Sequence, residues 1–232
     1  MNITRRKLLF LTPAAAAFLD RLGGEETASS SKYLMADHYW AMSIDIDKCI
    51  GCGNCVRACA RENGVPQGYF RTWVERYSVA PFPVEHPEVD SPNGGFDGFK
   101  EKSRPGAKSF FVPKLCNHCS HSPCVQVCPV GATFETPDGL VLVDKNYCLG
   151  CRYIDPAKQT VDKCTFCYHR ISKGETTACS ETCPTGARTL ADLKNPKDPI
   201  HEFLRTNSVQ VLKPHMATGA KVYYKGLDQS VR

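Results

Sequence analysis

Fourteen cysteines are distributed along a chain of 232 residues in runs whose spacing is chemically specific. Cys49, Cys52, Cys55 and Cys59 lie as C-x2-C-x2-C-x3-C. Cys116, Cys119, Cys124 and Cys128 lie as C-x2-C-x4-C-x3-C, with Pro129 following. Cys148 and Cys151 form a C-x2-C pair, and Cys164, Cys167, Cys179 and Cys183 form C-x2-C-x11-C-x3-C ahead of Pro184. Three thiolates at two-residue gaps wrap a short loop around one cubane, each taking one iron corner. A fourth cysteine three residues on, before a proline, serves a different cluster. The proline fixes φ and turns the chain away at that point.

Two simpler chemistries fit the pattern less well. Zinc is held by two C-x2-C knuckles per ion and has no use for a third cysteine two residues further on. Disulfides would require overlapping C-x2-C pairs within one loop, which make no sensible framework. The spacing therefore predicts iron–sulfur clusters, with all fourteen cysteines as candidate metal ligands.

Little else in the chain suggests bond chemistry. His118, His121 and His169 stand near cysteines and read as supporting or surface imidazoles. No Ser-His-Asp set, phosphate-binding glycine loop or pair of carboxylates stands out. Gly51 and Gly53 lie inside the first cysteine loop, where glycine would let the backbone approach a cluster closely. The formal net charge is +5, and no block of five like charges occurs, so a nucleic-acid role has little support. An oxidised cubane with four thiolates carries about −2. Three of them would contribute about −6 and reverse that sign. The surplus Lys and Arg then compensate buried cluster charge, and Lys48, Lys163 and Arg152 are candidates for tuning potential.

The elements that carry these cysteines repeat. Asp45 to Cys52 recurs as Val143 to Cys151 and, more weakly, as Val161 to Cys167. Cys128-Pro129-Val130-Gly131-Ala132 recurs as Cys183-Pro184-Thr185-Gly186-Ala187. Such a repeat is a ferredoxin half-module: a short strand, a cysteine loop and a short helix. Met42 to Ile46 alternates like a strand. Asn54 to Glu62 suits a helix that carries Cys55 and Cys59 on one face at i, i+4. Ala132–Glu135 and Leu140–Val143 read as a hairpin around Asp138-Gly139. The fold class expected is α+β: tandem double-cluster ferredoxin-like modules over residues 38–192, with a long loop insertion at about 62–114. Within that insertion Tyr69–Tyr77 and Ser109–Val112 read as strands, and Pro81–Gly106 as a surface loop that is either ornament or docking surface. Residues 193–232, with Pro196, Pro199 and Pro214, read as an extended tail lying over the surface or against a partner.

The N-terminus reads as an address. Arg5-Arg6 precede a short apolar stretch from Leu8 to Leu19, with a Gly-Gly and Ser-rich segment after it. A spanning helix needs ~20 apolar residues, so residues 1–30 resemble a twin-arginine export signal. Such export moves folded, cofactor-loaded proteins, which suits clusters acquired in a reducing compartment. The expected location is the periplasm or the outer face of the cytoplasmic membrane, as a peripheral protein.

Asp47-Lys48-Cys49-Ile50-Gly51-Cys52-Gly53-Asn54-Cys55, Cys116-Asn117-His118-Cys119, Cys148-Leu149-Gly150-Cys151-Arg152-Tyr153 and Val161-Asp162-Lys163-Cys164-Thr165-Phe166-Cys167 resemble the four-cluster ferredoxin subunits of membrane-bound respiratory oxidoreductases. That family includes the iron–sulfur subunits of dimethyl sulfoxide and polysulfide reductases and the hydrogenase-2 ferredoxin subunit. It also includes the nitrite reductase ferredoxin and the iron–sulfur protein of the sulfite-reduction-associated complex. The resemblance covers about residues 40–192. It implies nested sharing of cysteines: Cys49, Cys52, Cys55 and Cys183 around one cluster, and Cys164, Cys167, Cys179 and Cys59 around its neighbour. Cys116, Cys119 and Cys124 would hold a third, and Cys148, Cys151 and Cys128 a fourth.

Those last two sets are short of ligands, because after Arg152-Tyr153 the chain passes directly to Ile154-Asp155-Pro156, where the family has another cysteine and a Cys-Pro closure. Either the second pair is degenerate, with one or two clusters that include a [3Fe-4S] form, or residues are missing after Tyr153 and the count is four [4Fe-4S] clusters. The unbroken family register on both sides favours missing residues. The resemblance also implies the role: an electron-transfer relay between an integral membrane quinone-reactive subunit and a catalytic subunit (molybdenum, hydrogenase or similar) or a cytochrome c subunit. A free-standing exported ferredoxin that acts as a soluble carrier is the alternative.

Overall fold

The computed structural model of the chain describes residues 33–79, 87–99, 106–151, 154–155 and 159–231. The export signal expected at residues 1–30 lies outside the described residues, as does Tyr153 and hence the junction with Ile154.

Strands and short helices alternate along the chain, an α+β arrangement. In order they are β1 (Trp40–Asp45), α1 (Asn54–Asn63), β2 (Thr72–Val79), β3 (Glu88–Asp90), β4 (Lys108–Leu115) and α2 (Pro123–Gln126). Then follow β5 (Thr133–Glu135), β6 (Val141–Val143), β7 (Ile154–Asp155), β8 (Thr160–Val161), α3 (Tyr168–Ile171) and α4 (Ala178–Glu181). The chain closes with β9 (Arg188–Asp192), α5 (Ile200–Thr206), β10 (Val209–Gln210) and β11 (Val222–Lys225). α2, α3 and α4 are single turns, each carrying or adjoining a cysteine, as the half-module repeat predicts. β5 and β6 form the expected hairpin, with Thr133 opposite Val143.

β1 is an inner strand of a four-stranded sheet ordered β10-β11-β1-β9. Met42 faces Leu190 of antiparallel β9 and Val222 of parallel β11. A parallel pair cannot be closed by a tight turn; here almost the whole described chain separates β1 from β11. The segment after Lys194, expected as an extended surface tail, is therefore built into the fold. Val222 and Tyr224 alternate onto the core face and are fully buried. The prolines that suggested extension act as punctuation instead. Pro199 caps α5 and Pro214 opens a 3-10 turn, positions where a missing N–H costs nothing.

The insertion is also more than a loop. β2 and β4 pair antiparallel from Thr72 opposite Leu115 to Val79 opposite Lys108, and β3 extends the sheet on the free side of β2. Val74, Tyr77, Val112 and Leu115 share one hydrophobic core with Met42, Ile44, Val56, Phe166 and Tyr224. The buried Tyr224 hydroxyl donates to the Pro113 carbonyl at 3.0 Å, joining the last strand to the insertion. Part of the stretch read as surface loop is buried too: Gly94 and Gly95 pack beneath Phe70 and Val74.

That packing gives the glycines of the first cysteine loop a further reason. Gly53 has φ +73°, and a Cβ there would lie 2.2 Å from the Gly95 carbonyl oxygen. A Cβ on Gly51 would lie 2.5 Å from the Phe111 ring. The insertion thus demands glycine here in its own right, and Gly53 also lines the first cysteine cavity. Gly53→Ala is expected to cost ~2–4 kcal/mol, from left-handed strain plus a backbone clash. A thermal midpoint equal to the parent's would refute this packing.

Candidate metal centres

α1 starts at Gly53 in the left-handed conformation and ends at Gly64, whose N–H caps the Ala60 carbonyl. Between them Cys55, Val56, Ala58 and Cys59 are buried. Cys55 and Cys59 stand one turn apart, ~6 Å along the helix axis, and they serve different cavities. Cys49, Cys52, Cys55 and Cys183 line one, together with Val74, Pro113 and Arg188. Cys59, Cys164, Cys167 and Cys179 line the second, together with Met42, Leu115 and Phe166. The two four-cysteine sets implied by the family resemblance are thus each gathered around one cavity.

The donor geometry suits a cluster. Among the described residues no three His, Cys, Asp or Glu converge closely enough to hold one metal ion. A tetrahedral zinc would draw four sulfurs to ~2.3 Å from a common point. Here four thiols instead ring an apolar space, the arrangement a polynuclear cluster requires.

The electrostatics agree. Burial, followed by the fields of Cys55 and Cys183, pushes the Cys49 thiol up to about 11 despite a hydrogen bond from the Gly51 backbone. Burial, then Cys179 and Cys167, pushes Cys59 up to about 12. Burial and the neighbouring thiols raise Cys55, Cys164 and Cys167 as well. Thiols packed this way resist ionisation unless a metal centre supplies the compensating positive charge.

A second observation is an orphaned cation. Arg188, the first residue of β9, is 2% exposed. None of its three guanidinium nitrogens has an oxygen acceptor. Burial opposes its charge, yet the fields of Cys55, Cys179 and Tyr224 hold it protonated, above its ordinary range, with the Cys179 thiol as a weak acceptor. A buried cation so poorly compensated is costly, and anionic clusters in the adjoining cavities would provide the missing counter-charge. The residues present therefore fit two iron–sulfur clusters.

Around the second cavity the supporting polar groups are satisfied. Arg71 donates through Nε to Asp162 Oδ2 at 2.7 Å, through Nη1 to Asn63 Oδ1 at 2.8 Å, and through Nη2 to Asp162 Oδ1. Asn63 in turn donates to the Cys59 carbonyl at 3.0 Å and faces its sulfur at 3.6 Å.

The second pair of motifs is only partly assembled by the described residues. Burial, then Cys116 and Cys119, acts on the Cys124 thiol, with Lys163 opposing, so these three cysteines are neighbours. Cys116 also heads the charges acting on Cys164, after burial, which sets this group beside the second cavity. Cys128 and Cys183 share one local device. Backbone N–H groups of Thr133, Val130 and Ala132 hold the Cys128 thiol below its ordinary value. At Cys183 burial acts upward, but the matching groups of Arg188, Ala187 and Thr185 outweigh it, with the Ala187 N–H 3.2 Å from sulfur. The repeated Cys-Pro-x-Gly-Ala sequence thus builds the same N–H nest twice, each time with its glycine at φ 63°. Cys148 accepts from the Val161 N–H at 3.3 Å. Cys151 is exposed, and the chain from it to Val161 passes through residues outside those described.

His118 is fully buried, its Nδ1 accepting from the Val141 N–H at 3.0 Å and its ring 4.1 Å from that of Phe166. His169 bonds Glu62 at the surface, and His121 is exposed. Of the charges expected to tune the clusters, Lys48 is largely exposed beside Asp45. Lys163 Nζ donates to the Val141 and Cys164 carbonyls. Arg152 lies outside the described residues. Sequence reasoning missed Arg188 and Arg71. The signal for Arg188 was present in the repeat: it follows Cys-Pro-x-Gly-Ala, where the other copy carries Thr133.

Two 4Fe-4S dicluster domain models match the chain, over residues 48–132 and 107–193. A tetrathionate reductase subunit of Salmonella typhimurium is 40% identical over 206 residues, covering 83% of this chain and 74% of that protein. The tetrathionate reductase subunit of the same type from Archaeoglobus fulgidus is 40% identical over 195 residues, covering 79% and 80%. An Hdr-like menaquinol oxidoreductase iron–sulfur subunit of the same archaeon is 31% identical over 284 residues, covering 97% and 98%.

Proposed function

The chain belongs to the 4Fe-4S dicluster family of electron-transfer iron–sulfur subunits of respiratory oxidoreductases, and on that footing we propose how its own residues build the relay. Cys49, Cys52, Cys55 and Cys183 hold one [4Fe-4S] cluster, and Cys59, Cys164, Cys167 and Cys179 hold the next. The observation that carries this reading is the gathering of each set around its own cavity. Cys116, Cys119 and Cys124 hold a third cluster, and Cys128, Cys148 and Cys151 contribute to a fourth position. That second pair carries four-iron clusters if residues are missing after Tyr153, and otherwise one or two clusters, with a [3Fe-4S] form among them. When bound, such clusters supply one-electron transfer without bond making in the protein.

The chain's part is spacing and insulation. α1 sets two ligands of neighbouring sites one turn apart. Phe166, Met42, Leu115 and Val74 keep water from the cavities, and the N–H nests around Cys128 and Cys183 stabilise thiolate charge. The protein is exported by the twin-arginine route through residues 1–30 and works at the outer face of the cytoplasmic membrane. Its partners are a membrane quinone-reactive subunit and a catalytic or cytochrome c subunit. The identity of the relatives supports a multi-subunit setting over a free carrier. The catalytic partner sets the terminal substrate, and a sulfur-oxyanion reductase is the first candidate, after the 40% identical relatives.

The purified protein is expected to be brown and to contain iron and acid-labile sulfide. Stoichiometric zinc without iron would overturn the reading. Isolation in mild detergent is expected to bring down membrane and catalytic subunits, whereas a lone species of monomer size would favour the soluble carrier.

A further inference from the structure

We propose that Arg188 is a positioning residue whose buried guanidinium, in the wall of the first cavity and facing Cys179 of the second, raises the reduction potentials of both clusters together. The inference rests on the reading of those cavities as cluster sites.

The guanidinium forms part of the wall of the Cys49–Cys52–Cys55–Cys183 cavity. Among the charges it faces are Cys55 from that set and Cys179 from the other. The fold holds it there firmly. The Arg188 backbone lies opposite Ile44 in the sheet, its own N–H serves the Cys183 sulfur, and its side chain is buried. Other basic groups nearby are spoken for. Arg71, in the wall of the second cavity, is neutralised by Asp162. Arg57, beside the first cysteine loop, donates to the Cys52 and Phe96 carbonyls and to Asn54. Arg188 has neither a carboxylate nor a carbonyl.

Reduction of either cluster adds one negative charge beside this fixed positive one. In a low-dielectric, water-poor site that interaction is only weakly screened, so the reduced state is favoured in both. The internal repeat makes the effect local. At the matching position after Cys128 the chain carries the partly buried Thr133, which brings no charge. The second pair therefore has no matching charge of its own.

The test is an EPR-monitored redox titration of the cluster-loaded protein, comparing the parent with Arg188→Met and Arg188→Lys. Arg188→Met is expected to disfavour reduction of both first-pair clusters at least tenfold, a downward shift of about 59 mV or more for a one-electron couple. Second-pair signals should move less. Arg188→Lys keeps the charge, and its first-pair potentials should stay within about threefold of the parent in the same equilibrium, about 28 mV. First-pair potentials in Arg188→Met equal to the parent's would overturn the proposal. If Arg188→Met does not assemble its clusters, Arg188→Lys decides. Assembly with near-parent potentials supports a charge role, and loss of the same clusters from the lysine variant overturns it. A parent protein without cubane signals would instead remove the reading of the cavities themselves.

Discussion

Cys55→Ser and Cys183→Ser are expected to abolish one and the same cluster signal, although 128 positions separate the two residues in the chain. Each variant should lose up to about four iron atoms per chain, the content of one cubane, and the two lost spectra should superimpose. Cys59→Ser and Cys179→Ser should remove a different signal, again a shared one. The reason is geometric. α1 carries Cys55 into the cavity that Cys183 enters from the turn before β9, and carries Cys59 into the cavity where Cys179 of α4 lies. Adjacent cysteines of one helix therefore belong to different clusters, and distant cysteines to the same one. If instead Cys55→Ser and Cys59→Ser removed a common signal, the sharing would run along the chain and the cavity assignment would fail.

Asp162→Ala should produce a large loss of stability. Arg71 and Asp162 face each other with two hydrogen bonds, their side chains 8% and 12% exposed. Removing the carboxylate strands a buried guanidinium, which costs ~3–5 kcal/mol. For a protein of this size that lowers the thermal midpoint by on the order of 10 °C. Replacing both partners, as Arg71→Met with Asp162→Leu, should recover much of the loss, because no charge is then left unpaired. The pair ties the start of β2, in the insertion, to the strand before Cys164, so the single variant should also loosen the second cavity. A double variant as unstable as Asp162→Ala would show that the side chains matter for shape and not for charge.

The chain's local chemistry was legible in its sequence. Three thiols at two-residue gaps can wrap a cluster through a single loop, so ligand type and metal class follow from spacing alone. The helix carrying Cys55 and Cys59, the β5–β6 hairpin and the strands at either end of the insertion follow from periodicity and turn residues that act over a few positions. The repeat of Cys-Pro-x-Gly-Ala likewise announced two equivalent turns, and both form the same nest of N–H groups around sulfur.

What the tertiary structure alone decided concerns contacts through space. The segment after Lys194 looked like a tail because its prolines are close together, yet they separate elements, and Val222 and Tyr224 complete the sheet beside β1. Gly51 and Gly53 were legible as room for a cluster, but only the fold shows that their missing Cβ atoms also make room for Phe111 and the Gly95 carbonyl, contributed by an insertion about fifty residues away. Arg188 reads in the sequence as one basic residue of 29. Its burial in the wall of a thiol-lined cavity with no oxygen acceptor arises only when β9 is laid against β1. Local spacing specifies what a loop can bind, because the ligands share a few bonds of backbone. The environment of a buried charge depends on which distant surfaces close over it, and no local pattern records that.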